Sequence, residues 1–548
     1  MEKRKIIAIG GGIMILFASA IIIIILIQPP SPNQKPTLGD ITPQDENTIY
    51  EGDSLTFKVD VKDEDMDSLS YKWTLDDQEV GGNKNEYTYT ANLISAGVHT
   101  IEFKVSDGEY SKTHEWIVNV INKVGYIDIH SGSLHSNPIY YTECNNALYF
   151  QANDGIHGVE LWRSDGTEEG TFLVKDINFE SANSNPSKFC ENNGILYFQA
   201  NDGIHGVELW RSDGTEQGTY MLKDINQSSY GSKPDLLTVV NGILYFQAND
   251  GIHGWELWRS DGTESGTYLL KDINPSGSSS PLYLTEYNDN LVFRADDAIH
   301  GPELWISNGT LEGTKILADI RINPDISAGS NPRYFIESNG ILYFSAENDT
   351  LSRTLYRTNG TSQGTYMVKE IYVGGNADPR NFYDCNKKLY FSATDGVHDS
   401  ELWVSNGTDL GTYMLKDIYS SGPSAPGNYY AIMNGILYFE AFNSTLGNEL
   451  WRTDGTSLNT ALVKDIFSGP SDSNPIDLAT INDVVYFGAI DGVHGWELFQ
   501  TNGTEDGTFL TADIHPTSSS SPSHLTVLNG NLFFTATGEE GGRELYIY

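Results

Sequence analysis

Aspartate and histidine stand three residues apart at six places: Asp154/His157, Asp202/His205, Asp250/His253, Asp297/His300, Asp395/His398 and Asp491/His494. A carboxylate beside an imidazole can ligate a metal, relay a proton, or close a loop through a hydrogen bond. The equivalent positions elsewhere are Asn348/Leu351, Asn443/Leu446 and Gly538/Gly541, so both partners change together. Joint loss implies that the two side chains touch. Catalysis needs one asymmetric site, whereas folding needs every copy braced, so sixfold recurrence points to a loop brace. A glutamate recurs just after these loops, at Glu160, Glu208, Glu256, Glu303, Glu401, Glu449, Glu497 and Glu544, with Thr354 as the exception. A strand carboxylate repeated in this way is expected to be paired rather than catalytic.

Two further groups carry chemical potential. Asp63, Asp65 and Asp67, with Glu64 between them, place carboxylates on one short loop, the oxygen-rich setting that Ca²⁺ prefers; an ordinary polar turn fits the same residues. Asn226, Asn308, Asn348, Asn359, Asn406, Asn443 and Asn502 sit in N-x-Ser/Thr sequons. Asparagine also suits a turn on conformational grounds alone. No nucleophile elbow, zinc-protease helix, phosphate loop, dinucleotide fingerprint or zinc cysteine cluster is present. Arg333, Asp378, Arg380 and Tyr383 cluster near one type of strand in two irregular units, a weak pointer to an asymmetric site.

These residues are positioned by a repeat of about 48 residues. ELW or a variant ends at Trp162, Trp210, Trp258, Trp305, Tyr356, Trp403, Trp451, Phe499 and Tyr546. LYF-like, Asp-Ile-like and proline markers also occur nine times, in step. Each unit reads as four short strands. Strand a begins at the proline, where no ladder donor is lost. Strand b is apolar enough to be buried on both faces. Strand c carries ELW, and strand d ends in Asp-Ile. The third aromatic of ELW is expected to pack between units. The last unit stops after strand c, and VGYIDI near residue 124 is a strand d with no unit before it. The two ends should complete one another, so the expectation is an all-β, closed β-propeller of nine blades over 124–548.

ELWRSDGTEEGT and its relatives resemble the ELWxxDGT repeat proteins of bacteria and archaea over residues 124–548. The resemblance implies a surface or secreted repeat protein without a shared enzymatic activity. Residues 37–122 read as a small β-sandwich from their period-two alternation. Trp73, the Tyr-rich strand EYTYTA, the SAG turn and VSDG resemble polycystic-kidney-disease-type and related immunoglobulin-like domains, which usually serve as spacers.

Lys3, Arg4 and Lys5 precede an uncharged apolar run from Ile6 to Ile27. Its length predicts a transmembrane signal anchor over 1–28, uncleaved, followed by a Pro-rich stalk over 29–36. The N-terminus would then be cytoplasmic and the rest an extracellular ectodomain. Lys plus Arg total 33 against 74 Asp plus Glu, a formal charge of -41 that excludes a phosphate-backbone partner. Three cysteines, Cys144, Cys190 and Cys385, allow at most one internal bridge, with Cys144–Cys190 the pair considered. The leading functional expectation is a non-catalytic binding or scaffold protein of the cell surface, engaging a glycan or a protein, with no cofactor beyond Ca²⁺. The alternatives are a carbohydrate hydrolase or lyase working in a central channel, and a structural envelope component.

Overall fold

The computed structural model describes residues 13–18, 21–26, 33–44, 46–50, 54–91, 97–121, 124–132, 134–322, 329–427, 429–538 and 542–548. Every regular element among them is a strand. The chain divides into two compact units, Met1–Lys123 and Val124–Tyr548.

The apolar N-terminal run departs from expectation. Ile13–Ala18 and Ile21–Leu26 are antiparallel strands, paired from Ile13↔Leu26 to Ala18↔Ile21. No helix among the described residues is long and apolar enough to cross a membrane. The single-pass helical anchor therefore does not hold, nor does the cytoplasmic-to-extracellular orientation that rested on it. The physical reason lies in side-chain shape. The run is dominated by isoleucine, whose branched Cβ disfavours helix and favours strand, and a hydropathy window counts apolar length without weighing that preference.

The rest of the first unit consists of two sheets, a three-stranded one and a five-stranded one. Phe57, Val59 and Tyr89 from the first meet Trp73, Ile101, Phe103, Trp116 and Val118 from the second in one core. Trp73 and Trp116 stack with ring centroids 5.7 Å apart. The indole N–H groups are satisfied by carbonyls, Trp73 by Lys84 and Trp116 by Pro43, each at 2.9 Å.

Among its described residues the second unit holds nine four-stranded antiparallel sheets, propeller-like in build. The first comprises strands a to d at Ile139–Cys144, Ala147–Asn153, Val159–Ser164 and Phe172–Lys175, paired in sequence order. The ninth is composite. Ser523–Leu528, Asn531–Thr537 and Arg543–Ile547 are completed by Gly125–Ile127, with Tyr126 opposite Tyr546.

Burial explains why the sheets stack. Strand b is apolar on both faces, so each sheet has two neighbours to satisfy. Leu148 and Phe150 join the core shared with Phe533 and Leu545 of the ninth sheet. Tyr149, on the opposite face, joins the core shared with Phe198 and Trp210 of the second. Every consecutive pair of sheets has its own apolar cluster, and the cluster between ninth and first completes the cycle. The ELW aromatics are part of these seams; Trp210 is 6 % exposed and packs on Val174 and Ile177 of the preceding sheet.

The composite sheet predicts a truncation phenotype. A chain starting at His130 should melt at lower temperature than one starting at Val124, and associate, because removing Gly125–Ile127 bares the Arg543–Ile547 edge. Thermal unfolding with light scattering checks this; equal midpoints and monodisperse samples would show the N-terminal strand to be dispensable.

Candidate functional site

The six Asp–His pairs adopt one geometry. In the first, Asp154 Oδ1 accepts the backbone N–H groups of Ile156 and His157, and Oδ2 accepts from His157 Nδ1 at 2.7 Å. The corresponding carboxylate–imidazole distances are 2.6 Å at Asp202/His205, 2.7 Å at Asp250/His253, 2.8 Å at Asp297/His300, 3.0 Å at Asp395/His398 and 2.7 Å at Asp491/His494. The hydrogen bond to Asp154 raises the His157 pKa. Burial raises that of Asp154, but the bonds from the His157 backbone and ring outweigh it and leave the carboxyl below its usual range. Where the pair is lost, the loop closes differently. Asn348 Oδ1 accepts from Thr350 and Ser352, and Asn443 Oδ1 accepts from Thr445.

The repeated glutamates are fully buried acceptors. Glu208 takes the backbone N–H of Ile225 at 3.2 Å, of Asn226 at 3.0 Å and of Ser232 at 2.8 Å, plus the Ser232 hydroxyl at 2.5 Å. Ile225 and Asn226 lie just past the end of strand d, Tyr220–Lys223, and Ser232 lies on the crossover to the next sheet, so one carboxylate fixes where the chain leaves. Glu544 does the same for Ile129 and Ser136, drawing the two ends of the chain together. Burial outweighs these bonds and lifts the carboxyl pKa, to about 7 at Glu160 and Glu449. At the exception, Thr354 donates its hydroxyl to the Lys369 carbonyl.

The sequon asparagines serve the turns. Asn308, Asn359, Asn406 and Asn502 are exposed, and each Oδ1 accepts from the threonine two residues on, as the aspartates of the other units do. Asn226 is half-buried and donates to the Asn249 carbonyl. Cys144, Cys190 and Cys385 are free thiols with pKa values pushed up to about 11 by burial, so the Cys144–Cys190 bridge does not form. Of the irregular-unit residues, Arg380 pairs with Asp378 at 3.4 Å, Tyr383 stacks on Tyr430 at 5.1 Å, and Arg333 opens strand a of the fifth unit.

Asp63, Asp65 and Asp67 bring one carboxylate oxygen each within 4.8 Å of one another. Asp63 Oδ1 accepts the N–H of Asp65, while its Oδ2 is buried without a donor. Gln34 N donates to Asp65 at 2.6 Å, and neighbouring Asn33 reaches the Asp107–Glu109 turn through its bond to Glu109. Asn33 Oδ1 and Asp107 Oδ2 are also buried acceptors without donors. Orphaned oxygens on three adjoining segments suit a hard divalent cation such as Ca²⁺.

The most distinctive feature lies on strand a. In eight of the nine sheets the second residue of this strand is a β-bulge with φ in the left-handed region: Tyr140, Lys188, Leu236, Tyr283, Tyr334, Asn381, Asp477 and His524, at φ between 53° and 66°; Tyr430–Met433 of the seventh unit pairs without one. A bulge re-aims a side chain, and non-glycine residues rarely hold this conformation. Neighbouring strand a segments meet at these positions. Lys188 pairs with Asp235 at 3.0 Å, the rings of Tyr283 and Tyr334 lie 5.8 Å apart, and His524 N donates to Asp477 at 2.6 Å. Part of this ring opens on a cavity of about 450 Å³ lined by Tyr140, Asn381, Tyr383, Tyr430, Asp477 and His524, among others. Sequence reasoning missed this set, yet the signal was present. Each residue stands two positions after the recurring proline, where no one residue type runs through the units, although tyrosine recurs at Tyr140, Tyr283 and Tyr334.

No family model matches the chain, and no curated protein does. Solved structures that it resembles include a puromycin hydrolase (12 % identity, 66 % of this chain and 59 % of that one, TM-score 0.35). A rhamnogalacturonan lyase aligns over 94 % of this chain and 90 % of that one, at 13 % identity and TM-score 0.36. An uncharacterised protein from Listeria monocytogenes aligns over 71 % and 97 %, at 9 % identity and TM-score 0.34. The chain spans about three fifths of the length of the puromycin-hydrolysing enzymes it matches.

Two outcomes follow from these geometries. The buried glutamates and the braced histidines both have raised pKa values in the folded chain. Their stabilisation is complete below the unfolded values of 4.5 and 6.5 and is lost as pH rises through the folded ones; the Asp154-type carboxylates lose theirs as pH falls through their lowered values, under 3.8. The melting temperature of the 124–548 unit should therefore fall from pH 5 to pH 8, and a rise would contradict the assignment. For the acidic cluster, Ca²⁺ at about 1 mM should raise the midpoint of the 33–121 region, and Asp63→Asn should remove the effect; equal shifts in both proteins would place the ion elsewhere.

Proposed function

We propose that this protein is a non-catalytic recognition protein, a closed nine-bladed β-propeller of the ELWxxDGT type preceded by a domain of the polycystic-kidney-disease type. Its ligand is held by the ring of strand a bulge residues. The observation that carries this reading is a contrast within one repeat. Strands b and c recur almost verbatim, ILYFQAND and VELWRSDGTE among them, and their polar groups are consumed by folding. The bulge position instead presents tyrosine, lysine, leucine, asparagine, aspartate and histidine in turn. A left-handed conformation costs a non-glycine residue about 1 kcal/mol or more, and folding alone would favour glycine there. Side chains retained at such a cost are most simply explained by what they contact.

The reading is non-catalytic because the acid–base candidates are equivalent and engaged. Six Asp–His pairs close six loops, and eight buried carboxylates each hold a crossover. None is singled out by a partner that the others lack.

The test separates stability from use. Tyr140→Gly and Lys188→Gly should melt at the wild-type temperature or above, since glycine relieves the backbone. By contrast, Glu208→Ala should lose about 3–5 kcal/mol by stranding the donors of Ile225, Asn226 and Ser232. A large drop for both glycine variants would make the ring a folding element and remove the basis for this reading.

A further inference from the structure

We infer that the cavity between the strand a segments of units six to nine and unit one binds a neutral saccharide, with a sugar ring laid on Tyr140 and its hydroxyls read by Asp477, Asn381 and His524. The inference rests on the reading of the bulge ring as the binding site and names what that site takes.

Four observations lead there. The first is an aromatic wall already held in place. Tyr383 and Tyr430 stack at 5.1 Å and 23°, and the Tyr430 hydroxyl donates to the Asn381 carbonyl at 3.3 Å. Tyr141, which also lines the cavity, is tied to Thr535 at 2.7 Å. The wall needs no rearrangement to receive a flat apolar face. The second is Tyr140, which is 48 % exposed although it belongs to a strand packed against neighbouring strands on either side. An open tyrosine face above a cavity of about 450 Å³ offers stacking area with room for a small oligosaccharide.

The third is the polar complement. Asp477 Oδ2 accepts the His524 N–H, and no described residue donates to its Oδ1. Asn381 spends its Nδ2 on the Pro426 carbonyl, which leaves Oδ1 as an acceptor. His524 is exposed, and its neutral imidazole offers one ring nitrogen as donor and the other as acceptor. Its Nδ1 meets the Ser523 hydroxyl at 3.1 Å. Hydroxyl groups, which donate and accept at once, match this mixed set better than a ligand of one polarity. The fourth is charge. Among the described residues no lysine or arginine lines the cavity, and the chain carries a formal charge of -41, so an anionic ligand is not addressed.

The experiment uses the full chain and calorimetric titration with neutral trisaccharides of gluco, galacto, manno and xylo configuration, with choline and a uronate trisaccharide as comparators. At least one neutral trisaccharide should bind saturably. Binding should weaken at least about tenfold in both Tyr140→Ala and Asp477→Ala. Phe179→Ala, which alters an exposed crossover residue, should bind as wild type. Thermal midpoints of all three verify folding. Absence of neutral saccharide binding overturns the inference, as does binding indifferent to Tyr140→Ala. Choline or uronate binding that Asp477→Ala or Lys188→Ala abolishes would overturn the saccharide while leaving the ring as the binding site. Binding that no ring substitution alters would overturn both.

Discussion

The larger unit depends on a carboxylate that has no access to water. In eight of nine sheets a glutamate of strand c is fully buried, and the groups it accepts from belong to the residues just after strand d and to the crossover into the next sheet. A buried carboxylate is costly unless its oxygens are filled. The chain must therefore turn at that point and present those N–H groups, and the start of the following strand a is fixed as a result. Serine at the crossover is explained in the same way: Ser184 supplies both its N–H and its hydroxyl to Glu160. The composite sheet uses the same device between Glu544 and Ser136, so chain closure adds no new chemistry.

Around that anchor the apolar residues divide into seams rather than one core. Leu196 and Phe198 face one neighbour and Tyr197 the other. Alternation along strand b thus satisfies two interfaces at once, and the ELW aromatic caps the seam toward the preceding sheet. The arrangement also explains why Asp–His pairs can disappear from three units. In two of them Asn348 or Asn443, isosteric with the aspartate, still accepts the loop N–H groups without a histidine partner. The glutamate is less easily replaced, and Thr354 substitutes for it only by donating to a carbonyl and accepting a single long bond from Ile371.

Much of this was legible in the residues. Repetition in step announced four-stranded units, the split last unit announced a composite sheet, and joint loss announced contact between Asp and His. One reading failed for an identifiable reason. Apolar length suggested a helix where isoleucine side chains favour strands. The pointer to Arg333, Asp378, Arg380 and Tyr383 reached strand a, and Tyr383 lines the cavity, but it passed over the position two residues beyond each proline. In the sequence that position is marked only by its variability among otherwise similar units. The bulge itself shows only once strand a is paired with strand b.

What the sequence determined by itself is the unit: its strand order, its turns, and the side chains that must be buried, because these follow from local periodicity and from polar groups that recur at fixed spacing. What only the tertiary structure decided is which side chains converge. The left-handed bulge at Tyr140, Asn381, Asp477 and His524 arises from register, one extra residue in strand a against strand b, and register is a property of two paired strands. Residues separated by hundreds of positions then share one cavity because neighbouring sheets must cover both faces of every strand b.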